Sequence, residues 1–340
     1  MPNSADHCFK LGAHYRSLFD YHNAKIAYKQ ALAIDPNHRN ANFDYALMIL
    51  YDGNYPEGFA RAEFRLKFIE LRGKIIPHKG KPYWNGESIE EKVLLIQGEQ
   101  GYGDQIMYAR YVPLLAQRAK HLVIRTRQAL VGLFRDSFPF TSVCAEEDTL
   151  PPYDCFVLIA SLPRIFHTTL QRIPSAFPYL SVTGSLPLSK PDAKILRVAI
   201  TYGSSPTNLD YKNKTLSPEH FAPLLENRQI LFFSTQPFKH PNIIDISPLL
   251  IDFRVTAQFL EHIDLLITCD TAIAHLAGAL HHEAWVILPN PSDWRWMPNK
   301  ERSQWYPSLR LFRQERRGDW ESVLVAVGRA LEERAKLILS

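Results

Sequence analysis

Metal sites, disulfide frameworks and membrane spans each leave a signature that this chain lacks. Its four cysteines, Cys8, Cys144, Cys155 and Cys269, are scattered, and no C-x-x-C pair occurs. That excludes the paired ligands of a zinc site and a disulfide framework, and it suits a reducing compartment. No D-x-D is present, so a metal bridging a diphosphate lacks its usual sequence cue, and no metal site is expected. A Walker lysine, a G-x-S-x-G elbow and an H-E-x-x-H pair are missing too. No apolar run approaches the ~18 residues that a membrane span needs. The opening MPNSADHCFKLG has neither a basic stretch nor an apolar one after it. No secretion signal is therefore expected, and a soluble cytoplasmic protein is the default. Charge of one sign is also scarce, with 39 Lys+Arg against 35 Asp+Glu leaving +4. Such a balance suits an anionic small molecule and gives no argument for nucleic acid.

What remains is globular: 340 residues, 46% hydrophobic and 22% charged, enough for two or three domains. Residues 1–70 lack strand alternation and show helical spacing. Leu11, Gly12, Tyr15, Ala24, Tyr28, Ala31 and Pro36 fall where a tetratricopeptide repeat sets its small and aromatic packing residues. At a period of about 34 residues Ala46 takes the place of Gly12, and Pro56 opens a further helix. Arg65 departs from the pattern, at a position that prefers alanine. Fewer than three repeats rarely stand alone, so this arm is expected to pack on the domain after it. Residues 71–91 mix Gly, Pro and charge and read as a linker.

From Lys92 the texture changes to short apolar runs between helical segments. KVLLIQ, HLVIR and DCFVLIA form a first series, over 92–185. RVAITY, QILFFST, NIIDIS, DLLITC, AWVIL and LRLF form a second, over 186–340, closed by an amphipathic helix WESVLVAVGRALEERAKLIL. Continuous apolar strands argue for parallel sheets covered on both faces. The fold class is therefore α/β, two Rossmann-like halves facing each other behind a helical arm. The Pro- and Ser-rich stretch 174–194 reads as their connection.

Three turns carry candidate chemistry. In LLIQGEQGYGDQIMYARYVPLL the glycines run G-x-x-G-x-G, not in the dinucleotide order, and Asp104 follows the last. Gly101 and Gly103 allow a tight turn, and Asp104 sits near a helix N-terminus. It reads either as a helix cap or as a carboxylate that takes a proton in a cleft. A dinucleotide site would want an acid after the second strand, where Arg125 and Arg127 stand instead; these leave an NADP-dependent reductase as a third reading. In LLITCDTAIAHLAGAL a strand ends at Asp270 and a small-residue helix starts after it. The N–H groups of Thr271, Ala272 and Ile273 would point outward as a diphosphate cradle. His275 lies on a similar face, and Gly278 is expected to bring the helix close to the sheet. In VAITYGSSPTNLDYKNKTL, Gly203, Ser204 and Ser205 with Lys212 and Lys214 resemble a phosphate loop. Finally, PNPSDWRWMPNKERSQWYPSLRLFRQ is dense in aromatics. Most of them read as loop pins, with Asp293 or Trp294 as a candidate pocket residue.

Together, EQGYGDQIMYARYVPLL, CDTAIAHLAGAL and DWRWMPNKERSQWYPSLRLFRQERRGDW resemble bacterial proteins that join tetratricopeptide repeats to a heptosyltransferase-like glycosyltransferase domain. The resemblance covers nearly the whole chain and keeps the motifs in order. It implies a GT-B arrangement, the first half on the acceptor side and the second holding a nucleotide-diphosphate sugar as co-substrate, with no cofactor or metal. It also implies that Asp104, after Gly103, is the catalytic base, and that Asp270, Thr271 and Ala272 with His275 hold the donor diphosphate. The chain departs from the family at its phosphate turn, Thr201-Tyr202-Gly203 then Lys214-Thr215, where lysine replaces arginine and loses the bidentate fork. His281-His282-Glu283 stand where Gly-Lys-Pro is usual. The expected activity is inverting transfer to a protein or glycan hydroxyl, the acceptor docked by the arm. The rival is a non-catalytic adaptor whose transferase half survives as a platform.

Overall fold

A computed structural model of the protein describes residues 4–67, 80–188, 195–204 and 211–339. The chain opens with two helical hairpins, α1 (Ala5–Ser17) with α2 (Tyr21–Ile34) and α3 (Arg39–Tyr51) with α4 (Tyr55–Ala62). Each helix starts on a side-chain cap. Ser4 accepts the N–H of His7, Asp20 that of Asn23, His38 that of Ala41 and Asn54 that of Glu57. These bonds satisfy donors that a helix start leaves free. Gly12 faces the Tyr28 ring, and Tyr28, Ala24, Ala31 and Ala46 are wholly buried between the helices.

The first lobe is a parallel sheet in the order β3-β2-β1-β4. Its strands are β1 (Ile89–Gln97), β2 (Ala119–Thr126), β3 (Ser142–Ala145) and β4 (Cys155–Leu158), with α5 (Tyr102–Tyr108) after β1 and α6 (Gln128–Ser137) after β2. The second lobe has six parallel strands in the order β10-β9-β8-β5-β6-β7. They are β5 (Leu196–Thr201), β6 (Ile230–Ser234), β7 (Ile243–Asp245), β8 (Leu265–Cys269), β9 (Ala284–Leu288) and β10 (Leu309–Arg313). Helices α7 (Phe253–Leu260), α8 (Ala272–Ala279) and α9 (Trp320–Leu339) accompany them. Every residue of β8 and β9 is buried, as strands covered on both faces require. In each sheet the strand order reverses beside the lobe's first strand, β1 or β5. Ligands of open α/β sheets bind at that point.

The two-lobed α/β class is the one the apolar runs predict, with differences of detail. Strand β1 begins at Ile89, ahead of Lys92. The four-residue β3 is not among the expected runs; it is too short to show a pattern of its own. Residues 71–79 of the expected linker, and 68–70 at the end of the expected arm, lie outside the described residues. The rest of that linker is not loose: Trp84 is buried and donates its N–H to the Phe156 carbonyl at 2.8 Å. The connection between the lobes is likewise tied down as far as residue 188. Tyr179 donates its N–H to Ala279 O in the second lobe at 3.1 Å and its hydroxyl to Ile106 O in the first at 3.1 Å.

The arm packs on both lobes. One apolar core runs from Leu50, Tyr55 and Phe59 through the first lobe to Trp294 and Trp305 of the second, while a separate core lies between the far face of the second sheet and α9. Trp305 Nε1 donates to Tyr55 Oη at 2.9 Å, and the two rings stack with centroids 5.6 Å apart. Arg65 is buried and grips Glu99 at 2.6 Å, Glu63 at 2.5 Å and Ser161 Oγ at 2.7 Å. Between the lobes Arg110, also buried, lies over the rings of Tyr179, Trp305 and Tyr306 at 4.9–5.0 Å and donates to the carbonyls of Met107, Pro174 and Trp305. This is a cation–π seat. Among the described residues no helix is long and apolar enough to cross a membrane.

Candidate active site between the lobes

The carboxyl ends of β1, β5, β6, β8 and β9 open on one cleft of about 1330 Å³. That exceeds the ~300–1,000 Å³ of a pocket for one small ligand, so the cleft has room for two. Ala13, Arg16, Phe43 and Leu47 of the arm close one side.

Helix α5 starts at Tyr102, with Gly101 as its N-cap and Asp104 inside the first turn. Asp104 Oδ2 accepts the Gly101 N–H at 3.0 Å, and Oδ1 is paired with Arg295 of the second lobe. The carboxylate thus caps its helix and also lines the cleft, with 18% of its side chain exposed. The two readings of Asp104 are not exclusive. The glycines act otherwise than expected. The left-handed residue of the turn is Gln100, with φ 61, and Gly103 is already helical. What needs glycine at 103 is the opposite lobe, because a Cβ there would stand 2.6 Å from His275 Cδ2. Gly278 works in a similar way: a Cβ would meet the Tyr306 ring at 2.3 Å, so its close neighbour is the aromatic loop and not the sheet.

The N-terminus of α8 lines the same cleft as Asp104. Thr271 is its N-cap but makes no side-chain cap bond to the first turn; its hydroxyl lies 3.3 Å from that of Thr268. Thr271, Ala272 and Ile273 all line the cleft. Beside them Lys214 Nζ meets Asp270 Oδ2 at 2.6 Å, both side chains nearly buried. A lysine so held is a positioned cation next to amide N–H groups, an arrangement that suits an anion. Lys212 is exposed and not part of the cleft. Gly203 and Ser204 line it, but their N–H groups are used internally. Gln236 Oε1 accepts from Gly203 N at 2.8 Å and Thr215 Oγ1 from Ser204 N at 3.2 Å. Ser205 lies outside the described residues. Among the described residues of this turn, Gly203, Ser204 and Lys214 line the cleft.

His275 is buried, its Nδ1 2.9 Å from Tyr306 Oη and its ring 5.2 Å from that of Trp296. Burial, with the Arg295 charge adding to it, pushes its pKa down to about 4, and burial alone does the same to His282. Both are neutral at pH 7, so His275 offers the cleft a hydrogen-bonding ring and not a charge. Between about 4 and the ordinary ~6.5 the unfolded chain binds protons that the folded one refuses. Stability is therefore full above pH ~6.5 and falls as pH drops toward 4. Urea midpoints measured from pH 7 to 4.5 are expected to decline steeply, and His275→Gln or His282→Asn to flatten the decline. An unaltered slope in both variants would remove burial of these rings as its cause.

The cation that the sequence pattern does not reveal is Arg295. Its Nη1 reaches Asp293 Oδ1 at 2.8 Å, its Nη2 pairs with Asp104, and its guanidinium lies 4.5 Å from the Trp294 ring centroid. Burial opposes ionisation of Asp293, but Arg295 and then Lys214 prevail and hold its pKa below the usual carboxylate range. Asp293 and Trp294 both line the cleft, while Trp296, Trp305 and Tyr306 are wholly buried pins. Of the two arginines considered for a 2′-phosphate, Arg125 is spent on the Glu146 carbonyl, and Arg127 lines the cleft over the Tyr102 ring at 5.0 Å. Among the described residues no group of three or more His, Cys, Asp or Glu side chains is placed to hold a metal ion.

No known protein-family profile matches the chain. It is similar to Protein FlbA of Caulobacter vibrioides, 24% identical over 296 residues, covering 74% of this chain and 48% of that protein. The chain thus spans about half the length of this curated relative. Among solved structures it overlaps the glycosyl transferase family 9 protein of Veillonella parvula, at 10% identity and TM-score 0.46 over 75% of this chain and 99% of the other. It also overlaps the E. coli heptosyltransferase WaaC with ADP, at 13% identity and TM-score 0.43 over 73% and 99%. The chemistry of the cleft has to be read from its own residues.

Proposed function

We propose that this protein is an inverting, metal-independent glycosyltransferase that moves a sugar from a nucleotide-diphosphate donor to a hydroxyl of a protein or glycan. The observation that supports the reading is that one cleft is lined by a first-lobe carboxylate, Asp104, and by the N-terminus of α8 and Lys214 of the second lobe. The donor diphosphate would lie on the N–H groups of Ala272 and Ile273, the Thr271 hydroxyl and Lys214, which Asp270 holds in place. Donors fixed before charge develops on the leaving oxygen stabilise it without reorganisation. An acceptor hydroxyl attacks the anomeric carbon from the face opposite the diphosphate. The new C–O bond forms as the bond to the phosphate oxygen breaks, the diphosphate leaves with the electron pair, and Asp104 takes the hydroxyl proton. The arm, read as tetratricopeptide-like, would dock the acceptor, since its α1 and α3 form a side of the same cleft.

Incubation with a panel of nucleotide sugars, read as transfer or hydrolysis, tests the reaction. Binding of nucleoside diphosphates by thermal shift tests the cradle. Lys214→Ala is expected to raise the Kd about 10–100-fold, the worth of a charged hydrogen bond, while Lys212→Ala leaves it unchanged. Equal effects at the two positions would relocate the diphosphate. A second reading, a binding platform without turnover, has specific support: the amides of the Gly203 turn are consumed internally and Asp104 is paired with Arg295. Diphosphate binding with no transfer or hydrolysis across the panel favours it.

A further inference from the structure

We propose that Arg295 is a positioning residue for Asp104, and that α4 of the arm sets its place through Trp294. The inference rests on the reading of Asp104 as the base. Three contacts in series carry it. Tyr55 and Phe59 of α4 meet the Trp294 ring edge-on, with centroids 5.9 and 5.8 Å away. Arg295 lies over the ring of Trp294. Its guanidinium then divides between Asp293 at 2.8 Å and Asp104 Oδ1.

A planar fork with an acid at each nitrogen and a ring beneath it has little freedom. It therefore fixes one oxygen of Asp104, while the Gly101 N–H fixes the other. Each carboxylate oxygen has two lone pairs, so this grip leaves the group able to accept a proton. Trp294 is 4% exposed and has the arm on one side and Arg295 on the other. Under this proposal a shift of α4, as when an acceptor seats on the arm, is passed through the indole to the guanidinium and the carboxylate. The arm would thus act on the rate of the chemical step as well as on acceptor affinity.

The test is a double-mutant cycle on transfer, with Kd for a nucleoside diphosphate measured alongside. Arg295→Ala is expected to lower kcat about 10–100-fold, the size of a small misplacement of a reacting group, with Kd changed less than twofold. Arg295→Lys or added guanidinium ion should recover part of the loss, which a merely structural role would not allow. Phe59→Leu is expected to lower kcat several-fold in the parent and to do nothing further in the Arg295→Ala background. Wild-type kcat in Arg295→Ala, or fully independent effects of the two changes, overturns the proposal. Wild-type turnover in Asp104→Asn overturns the base reading instead, so the two failures are distinct. A crystal structure of Arg295→Ala reads the geometry without turnover: the Asp104 carboxylate should leave its place, and one that has not moved rejects the proposal.

Discussion

Asp104→Asn is expected to reduce transfer about 10²–10⁴-fold, the span for loss of a general base, while nucleoside-diphosphate affinity stays close to that of the parent. The amide keeps the size of the carboxylate, and its oxygen can still accept the Gly101 N–H, so the start of α5 should survive. Arg295 retains Asp293 as a partner, so no buried cation is stranded. The amide NH2 then faces Arg295 where an acceptor stood, so the urea midpoint and the nucleoside-diphosphate Kd are needed to separate loss of the base from loss of that pair. The measurement is single-turnover transfer with a donor identified from the panel, beside a urea midpoint. A variant that folds and turns over like the parent ends the role assigned to Asp104. Asp104→Glu, which keeps the charge but moves it by a methylene, should fall between the two, because geometry and not charge alone decides the rate.

The second large effect lies in the arm. Arg65→Ala is expected to destabilise the fold by about 3–5 kcal/mol, the cost of removing one partner from a buried ion pair. The side chain of Arg65 is 6% exposed, and those of its partners Glu99 and Glu63 are 9% and 16% exposed. Without the guanidinium, two acids remain near Ser161; among the described residues the cation left beside them is Arg164, which reaches Glu63 at 3.2 Å. The repeat pattern makes the opposite prediction, since that position prefers alanine. Urea denaturation of the two proteins decides the sign. A neutral or stabilising change would mean that water reaches Glu99 and that the network contributes little.

Local pattern explains how much of this architecture is legible in the sequence. The six apolar runs of the second lobe are its six strands; the central β8 and β9 are buried throughout and written almost wholly in apolar residues, while edge strand β7 is largely exposed and shows in sequence only as a short run. Asp104 and the Asp270-Thr271 turn are visible for a related reason: a strand end leading into a helix start is a feature of the chain itself. Arg295 is not visible. Its partner Asp104 is 191 residues away, and in a loop crowded with tryptophans a single arginine looks like solvent-facing charge. Arg110 escapes likewise, since its seat is built from rings that only the folded chain brings together. Gly103 stands out in sequence as a turn former, whereas the demand on it comes from a histidine of the other lobe. Lys212 and Lys214 are indistinguishable in sequence, and one turn of short helix, Tyr211–Lys214, sends them to different surroundings.

The shared stacking of Tyr55, Phe59, Trp294 and Trp305 makes the border between arm and lobes unlike a hinge joining independent modules. A chain begun at residue 80 would turn two indoles out to water, along with the unmatched acid Glu99. Such a truncation should be sticky and prone to self-association, and grafting the two lobes onto another carrier would call for a replacement lid of matching aromatic shape. Any lengthening of the arm is then confined to the end remote from α4, leaving the innermost hairpin as a fixed part of the body it covers.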